Sequence, residues 1–164
     1  MIVIADASPL IFLAKVRRLD LLHSLFSSEI VVPKLVCSEL LPEGVDDAEG
    51  RSMGAFLGTC RVEAVRRPRR FASAMSVADN AALTLAVRRK ADLFLCDDRI
   101  TRMMAEAEGI RPLGTLGILL QAMRQSIISS DQTKTLLQGL VRSHHFRISI
   151  ELYQAVLTEI DKAV

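Results

Sequence analysis

The sequence predicts a single α/β domain with a mainly parallel central sheet flanked by helices. Three observations carry that prediction. Short apolar, β-branched runs alternate along the chain with segments of helical periodicity. The runs are followed by turn or helix-start residues, as strand–helix units require. Half of the 164 residues are hydrophobic while only 4% are aromatic and Trp is absent, so the core is aliphatic, as suits helices packed on a buried sheet.

Residues 2–5 form the first run, ending at Asp6, and Ser8-Pro9 then starts a helix with Pro in its first turn. Leu10, Phe12, Leu13, Val16, Leu19, Leu21 and Leu22 continue that helical pattern. Ile30-Val31-Val32 is a second strand. Pro33 opens a helix with Leu35, Val36 and Leu40 apolar and Glu39 near its end. A polar break spans residues 42–50, followed by a helix over 51–58 and an edge strand over 61–65. After the basic stretch Arg66-Arg67-Pro68-Arg69-Arg70, Ser76 and Asp79 have capping-box spacing at the start of an Ala- and Leu-rich helix. Leu93-Phe94-Leu95-Cys96 is the clearest interior strand and ends at Asp97-Asp98. A helix over 100–108 closes at Gly109. A last strand over 110–113, a helix through Met123 and two amphipathic helices over 129–143 and 149–163 complete the chain. The division expected is a core of residues 1–125 with a helical extension, 126–164, belonging to the same domain.

The formal charge of +2 gives no strong global field, so nucleic-acid binding has to come from local basic patches. Three cysteines, Cys37, Cys60 and Cys96, have no CxxC spacing and read as reduced thiols. The start lacks a signal-peptide pattern and no apolar run is long enough for a membrane span, so the expected location is the cytoplasm, with no membrane partner.

In parallel α/β sheets the functional crevice lies at the carboxyl ends of the strands. Asp6 and Asp98 both end strands, and Asp79 and Glu39 lie on helices that can face the same edge. Hard cations such as Mg²⁺ bind carboxylate oxygens in such clusters, and without a cation converging carboxylates raise one another's pKa. A cation held there activates water and offsets charge on a leaving oxygen, with one ion or two. Each acid also has an ordinary reading: Asp6 as a helix cap, Glu39 as a solvated helix residue, Asp79 as the capping-box acid, Asp97-Asp98 as a turn.

The order of these acids resembles the PIN-domain nucleases, in particular the branch containing VapC-like toxins. I-V-I-A-D-A-S-P-L-I (residues 2–11) is similar to that family's opening strand, with Asp6 as first acid and Ser8 as the small polar residue. V-V-P-K-L-V-C-S-E-L (residues 31–40) places the second acid at Glu39. A-D-N-A-A-L-T-L-A (residues 78–86) makes Asp79 the third, and L-F-L-C-D-D-R (residues 93–99) makes Asp98 the fourth, with Asp97 beside it. G-T-L-G-I-L (residues 114–119) is similar to one uncharacterised branch. Two departures stand out: Ala78-Asp79 and Ala81 replace a Gly-Glu pair and a further acid, and Cys96 replaces a hydroxyl residue before the last acids.

The resemblance implies an endoribonuclease using Mg²⁺ or Mn²⁺, with Asp6, Glu39, Asp79 and Asp98 catalytic, Asp6, Asp79, Asp98 and Asp97 on the metal side, and Ser8 in support. It also implies a toxin role, with RNA as substrate, an antitoxin protein as partner and a homodimeric state. Arg99, Arg102, Arg67 and Arg69 are the candidate RNA contacts, set against the ordinary reading of an arginine run as a solvated loop. His144-His145 has no partners at metal-ligand spacing and reads as an exposed turn; Met103-Met104 reads as core or interface filler. Two other classes compete: a catalytically silent PIN-like module binding RNA or protein, and an Asp-based phosphatase or receiver domain. The latter is disfavoured by Ser8 in place of a second Asp and by the absence of Lys between Lys90 and Lys134.

Overall fold

Five short strands join in one parallel sheet of order β3-β2-β1-β4-β5 in the computed structural model, which describes residues 1–42 and 47–162. The strands are β1 (Val3–Ala5), β2 (Ile30–Pro33), β3 (Arg61–Glu63), β4 (Leu93–Leu95) and β5 (Pro112–Leu113). Every residue of β1, β2 and β4 is buried, as expected for strands covered on both faces, whereas Arg61 and Val62 of edge strand β3 are exposed. The chain steps outward from β1 to β2 and β3, then crosses back to β4 and β5. The reversal falls between β1 and β4, the place where open α/β sheets form their crevice.

The apolar pattern over residues 10–22 suggested one helix, and the structure forms two, α1 (Ala7–Lys15) and α2 (Asp20–Leu25). Arg17 adopts a left-handed conformation (φ 56°) between them, and the Arg18 amide reaches back to the Leu13 carbonyl at 2.7 Å. On one straight helix Leu19 and Leu21 point about 200° apart; the bend buries both. Helix α3 (Lys34–Leu40) buries Val36 and Leu40 but turns Leu35 to solvent, so Leu35 is not a core residue. Helix α4 (Ala48–Leu57) begins inside the break expected over 42–50, capped by Asp47, whose side chain accepts from the Gly50 amide at 2.7 Å; residues 43–46 lie outside the described residues.

Helix α5 (Val77–Arg89) buries nearly all of its small side chains, which lets it lie against β1, β2 and β4. Its capping box forms as expected: Ser76 Oγ accepts from the Asp79 amide at 3.0 Å, and Asp79 Oδ2 accepts from the Ser76 amide at 2.8 Å. Helix α6 (Arg99–Ala107) closes before Gly109, which takes φ 75°. Helices α7 (Thr115–Arg124), α8 (Ser130–Ser143) and α9 (Ile150–Lys162) pack in succession. The connection between α8 and α9 returns to the sheet, where Phe146 is buried against Phe12 of α1, ring centroids 4.8 Å apart and edge to face. No helix among the described residues is long and apolar enough to cross a membrane.

Candidate active site

Asp6 leaves β1 at the reversal point, its amide donating to the Leu95 carbonyl at 2.9 Å, so the ends of β1 and β4 are fastened together there. The side chain is 1% exposed, and its Oδ1 has no hydrogen-bond partner. Burial, first, and then the charge of Asp79 push the Asp6 carboxyl up to about 7. The closeness of the Asp79 carboxyl to that of Asp6 raises it further and Glu39 adds a smaller repulsion, while the Ala7 amide opposes the rise. Glu39, near the end of α3, is itself raised by partial burial and by Asp79. These three acids, distant in sequence, therefore share one electrostatic neighbourhood.

The β4 end supplies the other two. Asp97 is clamped: Oδ1 accepts from the Thr115 amide at 2.7 Å and Oδ2 from the Thr115 hydroxyl at 2.6 Å. Burial pushes Asp97 up, against the lowering effects of those two bonds and of Arg102. Gly114 is required beside it, because a Cβ there would stand 2.7 Å from Asp97 Oδ1 and 3.0 Å from Arg102 Nη1. Asp98 is exposed and caps α6, Oδ2 accepting from the Thr101 amide at 2.8 Å. Cys96, between the strand and these acids, is buried; desolvation and the charge of Asp6 raise its thiol, and Asp97 and Asp98 add to this.

Asp97 and Asp98 open into a groove of about 520 Å³ with Ser8, Phe12, Arg99, His145, Phe146 and Arg147. Ser8, two residues after Asp6 in sequence, lines this groove with Asp97 and Asp98. Arg102 donates to the Cys96 carbonyl at 3.2 Å and reaches a neighbouring cavity of about 360 Å³, walled by Leu113, Leu116 and Leu120. The arginine stretch is more ordered than a free loop. Thr84 Oγ1 accepts from the Arg69 amide, Asn80 Oδ1 accepts from the Phe71 amide, and Arg88 donates to the carbonyls of Arg66 and Arg67. Arg69 is paired with Glu108 at 2.9 Å and lies over the Phe71 ring, whereas the Arg67 side chain is exposed.

As they stand, no three acidic, cysteine or histidine side chains among the described residues form a ready cage for an ion. The arrangement suits a cation that keeps most of its waters and takes one or two carboxylates, as Mg²⁺ does. Asp6 Oδ1, buried and unpartnered beside a second carboxylate, is the atom that fits one.

Four residues that shape the site went unassigned in the sequence. Thr115 and Gly114 lie in the G-T-L-G motif, where a glycine directly before a helix-starting threonine is the available signal. His145 lies in the exposed turn that the sequence suggested, but nothing local in the sequence places it or Arg147 beside residues 97–99.

A parallel sheet reversing where Asp6, Asp97 and Asp98 follow its strands defines an α/β domain with an acidic carboxyl edge. The model of the DUF3368 family, described as a PIN domain, matches residues 2–162, and the chain belongs to that family. PIN domains are generally nucleases and typically depend on divalent metals. A PilT N-terminus domain protein from the hyperthermophilic archaeon Sulfolobus solfataricus P2 has a similar fold, with a TM-score of 0.54 and 17% identity over 72% of this chain and 90% of that one. No curated protein matches the sequence.

Proposed function

We propose that this chain is a metal-dependent endoribonuclease in which Asp6 and Asp79 hold Mg²⁺ or Mn²⁺, with Asp98 acting from the neighbouring β4 end. The observation that carries the reading is Asp6: a buried carboxyl with an unpartnered oxygen, pushed up to about 7, at the β1/β4 crevice. An acid in that condition is costly to keep unless a cation offsets it. When bound, the cation supplies a lowered pKa for water and charge stabilisation at the phosphate.

The chain's own residues do the rest. Asp79 is held at the start of α5 by the capping box, which fixes the direction of its free side. Glu39 adds negative charge from α3 and can take a proton at the edge of the crevice. Thr115 holds Asp97 by both oxygens, so Asp97 orients the β4 end, while Asp98 faces the groove. Ser8 offers a hydroxyl to the same groove, where Arg99 would meet RNA phosphates with Arg102 at the neighbouring cavity; Arg67 is tied to Arg88 near the far end of α5 and Arg69 is held by Glu108, so neither is in that groove. In the toxin reading the protein works in the cytoplasm as a homodimer, and a small antitoxin covers the groove.

The test is cleavage of single-stranded and structured RNA by purified protein with Mg²⁺, Mn²⁺ or EDTA. Cleavage that needs the metal and disappears in Asp6→Asn supports the proposal; cleavage persisting in EDTA ends it. A second reading, a catalytically silent RNA- or protein-binding module, is favoured by the commitment of Asp79 Oδ2 to the Ser76 amide. Binding without cleavage at any metal concentration would select it.

A further inference from the structure

The α8–α9 connection brings an imidazole and a guanidinium to the groove that the proposed chemistry does not use. Phe146 anchors it, buried against Phe12, with its amide donating to the Leu140 carbonyl at 3.1 Å. His145, before it, is held at φ 54°, a left-handed conformation uncommon outside glycine, and Arg147 follows it. Both line the groove together with Ser8, Asp97, Asp98 and Arg99. Arg147 also borders the apolar cavity that Phe146 shares, so it stands on the ridge between the two.

Five other arginines, Arg18, Arg61, Arg69, Arg89 and Arg124, are each paired with an acid, and Arg88 and Arg102 are held by backbone carbonyls. Arg99, His145 and Arg147 make no ion pair among the described residues although Asp97 and Asp98 line the same groove. Each Asp97 oxygen already accepts from Thr115 and Asp98 Oδ2 accepts from the Thr101 amide, while the Arg99 and Arg147 guanidinium groups and the His145 imidazole stay open to a ligand. A wall of guanidinium and imidazole donors is suited to a phosphodiester, which takes bidentate donors from Arg.

We infer that His145 and Arg147, carried by the α8–α9 connection, form with Arg99 the wall that grips the backbone phosphates of single-stranded RNA in the groove. The inference rests on the ribonuclease reading for the identity of its ligand. The C-terminal helices thereby serve the site, because they hold the connection across the carboxyl edge.

The test is fluorescence anisotropy with a labelled ten-nucleotide single-stranded RNA in Ca²⁺, the oligomer checked intact on a gel, over a range of salt concentrations. Arg147→Ala is expected to weaken binding about ten-fold and to flatten the dependence of log affinity on log salt by about 0.7, one phosphate contact on a single strand. Arg147→Lys keeps the salt dependence and loses part of the affinity. His145→Ala weakens binding at every salt concentration. Arg142→Ala, on α8 and outside the groove lining, changes neither quantity. Circular dichroism confirms that each variant is folded. Unchanged binding by folded Arg147→Ala overturns the wall even where the wild type cleaves RNA. Arg147-dependent binding without cleavage keeps the wall and overturns the nuclease. Absence of RNA binding by the wild type overturns both.

Discussion

Replacing Asp6 by asparagine stabilises the ion-free protein at pH 8 while removing its proposed activity. Moving the carboxyl from 3.8 to about 7, at about 1.4 kcal/mol per pH unit, sets a ceiling of about 4 kcal/mol on the cost of ionised Asp6. The asparagine keeps the shape but leaves its amide group incompletely hydrogen-bonded, a cost of about 1–3 kcal/mol. A net gain of about 1–3 kcal/mol follows, or about 2–12 °C in Tm for a chain of this size. The sign follows from proton binding. Between pH 3.8 and about 7 the native state holds the Asp6 proton and the unfolded state does not, so native stability falls as pH rises through that window. Asparagine does not titrate, and its advantage therefore closes below pH 4. The assay is thermal or urea unfolding of both proteins in EDTA at pH 4, 6 and 8. An Asp6→Asn variant that is less stable than wild type at pH 8, or equally displaced at all three pH values, refutes the reasoning.

Other consequences can be measured on the same protein. Gly114→Ala forces a methyl to 2.7 Å from Asp97 Oδ1, so it displaces Asp97 or Arg102 and destabilises the fold by about 1–3 kcal/mol in urea unfolding. Thr115→Val keeps the volume but removes the hydroxyl donor at 2.6 Å from Asp97, costing about 1–3 kcal/mol and raising the Asp97 pKa further, which NMR titration of the carboxyl carbon detects. Phe94→Ala empties the largest fully buried position of β4 and costs about 3–5 kcal/mol in the same unfolding assay. Asn80→Ala releases the Phe71 amide from α5, and limited trypsin digestion is expected to cut the arginine stretch faster than in wild type.

The strand–helix order was legible because β1, β2 and β4 are continuous apolar runs, and the capping box at Ser76 and Asp79 has a fixed spacing that reads directly from the chain. The bend at Arg17 was not, since a left-handed arginine carries no composition signal and the leucines around it keep helical spacing. Asp6 and Asp98 stood out because each ends a strand. The stronger coupling of Asp6 to Asp79 than to Asp98 depends on how α5 crosses β1, which no local pattern encodes. The sequence favoured Asp98 as the fourth acid with Asp97 as its neighbour; what it did not show is that Thr115, 18 residues on, clamps Asp97 by both oxygens. The connection at residues 144–149 reads as a plain turn until Phe146 finds Phe12 across the fold.

Binding of Mn²⁺ to the wild-type protein, followed by electron paramagnetic resonance titration from pH 5 to pH 8.5, tests the role of the Asp6 cluster most directly. An ion that displaces the proton from Asp6 binds about ten-fold more tightly for each pH unit up to about 7, then levels off, and Asp6→Asn loses the binding. Mn²⁺ affinity that ignores pH across that range, or that survives in Asp6→Asn, contradicts the account.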